Sequence, residues 1–177
     1  MPAVDVSAIL AEAQRLRGVA TGSKSAPKRA ASTLARALPV EARRDIQTEY
    51  NLQASRINGN ISVANTGNAV VLTGYARPIG LIEFAGRWGG RKSQGATAKV
   101  FNAEGSHNYG GTFIARLKSG NKQIVSRSIV GGKRAPRLPL HTLYGPSIAS
   151  MLRKPDRQQR LDDFAVDKLA SEINRLL

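Results

Sequence analysis

The sequence predicts an α+β fold: N-terminal helices, a central antiparallel β-sheet with long basic loops, and a C-terminal amphipathic helix. Three observations predict it. Apolar residues recur at helical spacing over 3–50, short β-prone runs punctuated by Gly, Asn and Pro fill 57–145, and a helical stripe returns over 156–177. A chain of 177 residues has room for one domain with a real core, so 1–177 reads as a single domain. Aromatics make up only 5% of the residues, which leaves that core to Leu, Ile, Val and Ala.

In the first zone Val6, Ile9, Leu10, Ala13 and Leu16 share one stripe, and Gly18 and Gly22 end that helix. Ser25 can cap a second helix, with Pro27 tolerated in its first turn and Ala30, Leu34 and Leu38 on one side. Pro39 is expected to break it and to open a third, short helix through Ile46 and Tyr50. In the second zone the β-prone runs Ile61–Ala64 and Ala69–Thr73 flank the turn signal Asn65-Thr66-Gly67-Asn68. Ile79–Phe84 and Ala98–Phe101 are further strand candidates on either side of the Gly-rich stretch from Gly86 to Gly95. The best hairpin joins Thr112–Lys118 to Lys122–Val130 through Ser119-Gly120-Asn121. Its first arm sets Phe113, Ala115 and Leu117 on one face and Arg116 and Lys118 on the other, so one side packs and the other carries positive charge outward. In the third zone Asp156 is a natural N-cap after Pro155. Leu161, Phe164, Ala165, Leu169, Ile173 and Leu176 then form a stripe that docks on the sheet or on a neighbouring subunit.

Charge is the strongest functional signal. Lys and Arg number 27 against 12 Asp and Glu, a formal net charge of +15. Residues 1–49 carry net +3, residues 50–155 net +13 and residues 156–177 net −1. An excess of that size calls for a polyanion or an acidic protein surface as partner, since solubility alone needs far less.

Chemistry, by contrast, finds little to work with. There is no Cys for a disulfide or a thiolate metal site, and no apolar run approaches a membrane span or a signal-peptide core. Between Tyr50 and Pro155 the only carboxylates are Glu83 and Glu104. His107 and His141 have no ligand spacing around them, and no nucleophile elbow is present. No catalytic residue, cofactor or metal is expected, and the chain reads as a binding protein and not an enzyme. Gly86-Arg87-Trp88-Gly89-Gly90-Arg91-Lys92-Ser93 falls short of a phosphate-binding loop, because Arg91 stands where the loop needs Gly. The candidate contacts to DNA or to an acidic partner are Arg87, Arg91, Lys92, Lys133, Arg134 and Arg137 in Gly/Pro-rich segments, with Arg116 and Lys118 of the hairpin. Trp88 and Phe101 are the only aromatics placed to interleave with them, which is thin for single-strand stacking.

Three segments carry a family resemblance. They are Ala76-Arg77-Pro78-Ile79-Gly80-Leu81-Ile82-Glu83-Phe84, the arm from Gly111 to Gly120, and Leu138-Pro139-Leu140-His141-Thr142-Leu143-Tyr144-Gly145-Pro146-Ser147. With the order of elements, they resemble the minor tail protein Z family of long-tailed bacteriophages. Phe113, Ile114, Leu117, Lys118 and Gly120 match that family's strand pattern; Arg134 to Leu140 and the Tyr144-Gly145-Pro146-Ser147 turn match the stretch before its final helix.

The resemblance implies a virion protein of the tail and neck, made in the bacterial host cytoplasm. It would complete the head-proximal end of the tail as a ring of about six subunits. Its neighbours would be the tail terminator, the tail tube and the head–tail connector, with genomic DNA passing through the channel and no membrane. Within Leu138–Met151, Pro136, Pro139 and Pro146 favour an extended docking segment anchored by Leu138, Leu140, Leu143 and Tyr144, with Pro146 between anchor and helix. The other reading is that these apolar residues fill the subunit's own core. The competing function is a small basic nucleic-acid-binding protein without sequence specificity.

Overall fold

Ala30, Leu34, Leu38, Ala42 and Ile46 recur every four residues, and all five are fully buried along one 24-residue helix, α1 (Ala26–Glu49). Pro39 lies inside this helix, so the expected break and third helix are replaced by one continuous element. An interior proline costs a helix about 3 kcal/mol through its missing amide. Burying Ile46 alone returns about 1.5–3 kcal/mol, and Ala42 extends the same stripe, so packing carries the helix through. The computed structural model describes residues 3–5, 26–67, 69–89, 95–127, 129–130, 133–134 and 139–176. The expected first helix and the Ser25 cap lie outside them.

Two compact units form. The first comprises Met1–Ile46, Ser55–Arg77 and Ile148–Leu177, and the second Gln47–Ala54 and Pro78–Ser147. In the first unit β1 (Ala3–Asp5) precedes α1, and α2 (Ala54–Asn58), most of which belongs to this unit, follows it and buries Ile57. The expected hairpin is then found as β2 (Ile61–Asn65) and β3 (Val70–Gly74), with β1 antiparallel on the other edge of β3. Its turn works as the Asn-Thr-Gly-Asn signal predicts. Gly67 takes φ +81° and donates its amide to Asn65 Oδ1 at 2.8 Å, while Thr66 and Ala69 close the loop.

Two helices complete this unit. The short α3 (Ile148–Leu152) buries Ile148, Ala149, Met151 and Leu152, and its Ala149 amide donates to the Tyr75 carbonyl. The long α4 (Pro155–Leu176) starts one residue earlier than expected. Pro155 has no amide to leave unsatisfied, and Asp156 sits in the first turn where a carboxylate complements the helix dipole. Leu161, Ala165 and Leu169 are buried as expected, within the chain; Phe164, Ile173 and Leu176 are half-buried, and Arg157 and Glu172 extend the buried stripe.

The second unit is built from short strands: β4 (Pro78–Gly80), β5 (Arg87–Trp88), β6 (Ala96–Ala98), β7 (His107–Tyr109), β8 (Thr112–Arg116), β9 (Lys122–Arg127), β10 (Ile129–Val130), β11 (Lys133–Arg134), β12 (Leu140–Thr142) and β13 (Tyr144–Ser147). The class is α+β. The single central sheet is not what forms, however. Among the described residues the strands make β1-β3-β2 in the first unit and β5-β6-β7, β12-β9-β8, β13-β4 and β10-β11 in the second. Strands of two to six residues cut by Gly and Pro are too short to knit into one sheet. Ile79–Phe84 leaves the strand at Leu81 for a single 3-10 turn, and Phe101 forms a lone bridge to Tyr50 with the rings 5.0 Å apart. Ile124, Val125, Phe84, Ala96 and Ala98 are the buried centre of this unit.

Candidate docking surface

The expected hairpin is β8–β9, with arms somewhat shorter than predicted. Gly120 takes φ +83° in its turn, and the Leu117 and Asn121 backbones bond across it at 2.9 Å. Arg116 and Lys122 are direct cross-strand partners, and both are exposed, as is Lys118 beside the turn. Like charges placed opposite one another destabilise a strand pair by a fraction of a kcal/mol up to about 1 kcal/mol. Arg116 answers only by donating Nε–H to the Gly120 carbonyl at 3.1 Å. None of the three forms an ion pair among the described residues.

Packing of the hairpin differs in detail from the alternation expected. Thr112, Ile124 and Val125 are its buried positions, whereas Phe113 and Ala115 are half-buried. Thr112 is held by its hydroxyl, which accepts from the Ala96 amide at 3.0 Å and so ties β8 to β6. Phe113 instead carries the Arg127 guanidinium 5.1 Å from its ring centre.

Phe113 and Ile114, with Ile82, Gly86, Trp88 and Lys122, line an open cleft of about 540 Å³. Trp88, the only tryptophan, is 43% exposed in it, and Arg87 precedes it on β5, also exposed. The cleft therefore combines an apolar floor, an exposed indole and a cationic rim. It brings together Trp88 and the hairpin, which the sequence placed in separate segments, while Arg87, the strand neighbour of Trp88, is not among its lining residues. Phe101, the other aromatic singled out, is taken up by Tyr50.

Other expected contacts distribute as follows. Arg91, Lys92, Arg137 and Leu138 lie outside the described residues. Lys133 and Arg134 form β11, paired with β10, and their side chains are likewise outside the description. Leu140, Leu143 and Pro146 are half-buried and belong to the fold: Leu140 pairs with Arg127 on β9, and Leu143 exchanges backbone bonds with Ile124 and Leu81. Of the described anchor residues Leu140, Leu143, Tyr144 and Pro146, Tyr144 is the exposed one, at 59%. His107 stacks edge-on against Tyr109, and His141 is exposed on β12. Among the described residues no three His, Cys, Asp or Glu side chains gather closely enough for a metal, and no helix is long and apolar enough to cross a membrane.

Two of the motif segments meet. In β4–β13, Tyr144 pairs with Gly80 and Ser147 with Pro78, so the Arg-Pro-Ile-Gly and Tyr-Gly-Pro-Ser stretches are hydrogen-bonded partners. The fully buried Phe84 ring lies against Gly145, where an added Cβ would come within 2.6 Å of Phe84 Cε2.

Sequence reading missed the charges that are structural. Arg157, 1% exposed, donates Nε–H to Asp45 Oδ2 at 2.7 Å and its other amines to the carbonyls of Met151 and Asp45; Arg160 adds a second pair to the same carboxylate. The partners are 112 residues apart, and the one local signal is that Arg157 stands four residues before Leu161 on the α4 stripe. On the same helix Glu172 is held below the usual carboxylate range by hydrogen bonds from Arg175 and then Lys168. Asp162 is pushed up by burial, with a further push from Asp163. Also unforeseen is a shallow hollow of about 390 Å³ on α1, lined by Lys28, Arg29, Ser32, Thr33 and Arg36.

No family model matches the chain, and neither a curated protein nor a solved structure matches it.

Proposed function

We propose that the chain is a structural virion protein of a long-tailed bacteriophage, completing the head-proximal end of the tail and helping to join tail to head as a ring. The observation that carries the reading is the resemblance in the segments 76–84, 111–120 and 138–147, of which the first and last are paired in β4–β13. Charge supports it. The second unit holds eleven Lys and Arg against three Asp and Glu, and its hairpin cations face outward without acidic partners among the described residues. That arrangement holds acidic neighbours or passing DNA by attraction. In this reading the ring sits between tail terminator, tail tube and head–tail connector, in the virion neck.

Electron microscopy of particles made with and without the gene tests the reading. Tails that fail to join heads are expected without it, with joining restored by the purified protein. Normal particles in its absence would overturn the proposal. One observation favours a second reading, a nucleic-acid binder without sequence specificity: Trp88 beside Lys122 can stack a base next to a phosphate contact. Its mark would be affinity for oligonucleotides that falls steeply with salt.

A further inference from the structure

The outer face of α4 combines acidic residues with an exposed apolar one. Asp163, Val166, Asp167 and Ala170 are all exposed, and their i, i+3, i+4, i+7 spacing puts them on one side of the helix. That side lies opposite the buried stripe of Arg157, Leu161, Ala165 and Leu169. Val166 is 40% exposed, unusual for a β-branched apolar residue on a helix that buries its other face. The cations of this helix are engaged elsewhere: Arg157 and Arg160 with Asp45, Lys168 and Arg175 with Glu172. Asp163 and Asp167 form no ion pair among the described residues.

The Trp88 cleft has the opposite character. It offers an exposed indole over an apolar floor, with Lys122 lining it and Arg116 directly across the strand pair from Lys122. Two different surfaces on one chain, of opposite sign and each with an exposed apolar residue at its centre, make a head-to-tail contact between copies, the kind that closes rings. Two +15 chains repel on average, so a local pairing of unlike patches favours this orientation over contacts between like-charged surfaces.

We propose that the Asp163–Val166–Asp167 face of α4 on one copy docks against the Trp88 cleft of the next. Val166 packs on Trp88, and the two aspartates meet Lys122 and Arg116. The proposal rests on the ring reading above and names the surfaces that meet within it.

Paired charge reversals test it. Asp163→Lys with Asp167→Lys, and separately Arg116→Glu with Lys122→Glu, should each weaken self-association about tenfold or more by sedimentation. Mixed in equal amounts, the two variants should assemble again, because each reversed face then meets a reversed cleft. The Trp88 emission should shift to the blue as the mixture forms. Recovery in the mixture also shows that both variants are folded.

Single variants that assemble like the wild type, or a mixture that stays dissociated while both show native circular dichroism, would overturn the proposal. So would a cleft variant that loses oligonucleotide binding while assembling normally, which would give the cleft to nucleic acid. A wild-type chain that is monomeric yet restores tail joining sinks this contact but not the function. A ring that assembles through this contact yet leaves tails unjoined does the reverse.

Discussion

In the first unit sixteen Lys and Arg face nine Asp and Glu, and the most buried of those described, Arg157, is answered by a carboxylate and two carbonyls. In the second, eleven face three, and the hairpin sets Arg116 directly opposite Lys122. The first unit also has long helices with a continuous buried stripe, whereas the second is a set of two- to six-residue strands. Charge in the first unit is therefore part of what holds helices together. The hairpin cations of the second, Arg116, Lys118 and Lys122, are left facing outward at a cost to the strand pair, which is the pattern of a surface kept for something other than folding.

Asp45 is where a single change should cost the first unit most. Asp45→Asn removes the carboxylate from a buried guanidinium and should destabilise the first unit by ~3–5 kcal/mol, read as a fall in the denaturation midpoint. A loss below about 1 kcal/mol would mean that the Arg157 pair is incidental to the fold. Next in size is Pro39→Ala. It restores an amide to the middle of α1 and should raise stability by up to about 3 kcal/mol; a fall would show that the proline ring itself is packed to advantage.

In the second unit, Arg116→Gln should do the opposite of what a charge deletion does at Arg157. Relief of the cross-strand repulsion is expected to leave stability unchanged or raise it by about 0.2–1 kcal/mol, while binding to polyanions weakens. Loss of stability there would put Arg116 among the structural charges. The smallest effect concerns pH. Glu172, held low, adds stability above its unfolded pKa that is lost as pH falls through its folded value. Asp162, raised by burial, contributes with the opposite sign: its ionisation at neutral pH weakens the fold, so Asp162→Asn should raise Tm slightly near pH 7 and leave it unchanged in acid.

Local patterns were legible in the sequence and long-range pairings were not. The β2–β3 turn and the β8–β9 hairpin were readable because Asn, Gly and alternating residues decide them within a few positions. The stripes of α1 and α4 were readable for the same reason. Pro39 misled because the rule that it breaks helices counts one lost hydrogen bond and not the burial of Ala42 and Ile46 beyond it. Arg157 was invisible as a core residue because its partner is 112 positions away. Separate small sheets were not foreseen because short strands announce themselves one at a time, while their grouping depends on which edges meet. The cleft followed the same logic: Trp88 and Lys122 are each ordinary until the fold lines one hollow with both.

The contact between Phe84 and Gly145 reaches beyond the fold. Since the ring fills the volume that any side chain at 145 would require, a saturation library should accept glycine alone there. Exposed positions such as Arg116, Lys122 and Asp163 should tolerate most replacements in a foldability screen. Selection for binding would reverse that ranking, so comparing the two screens would separate the residues that build this protein from those that give it an occupation.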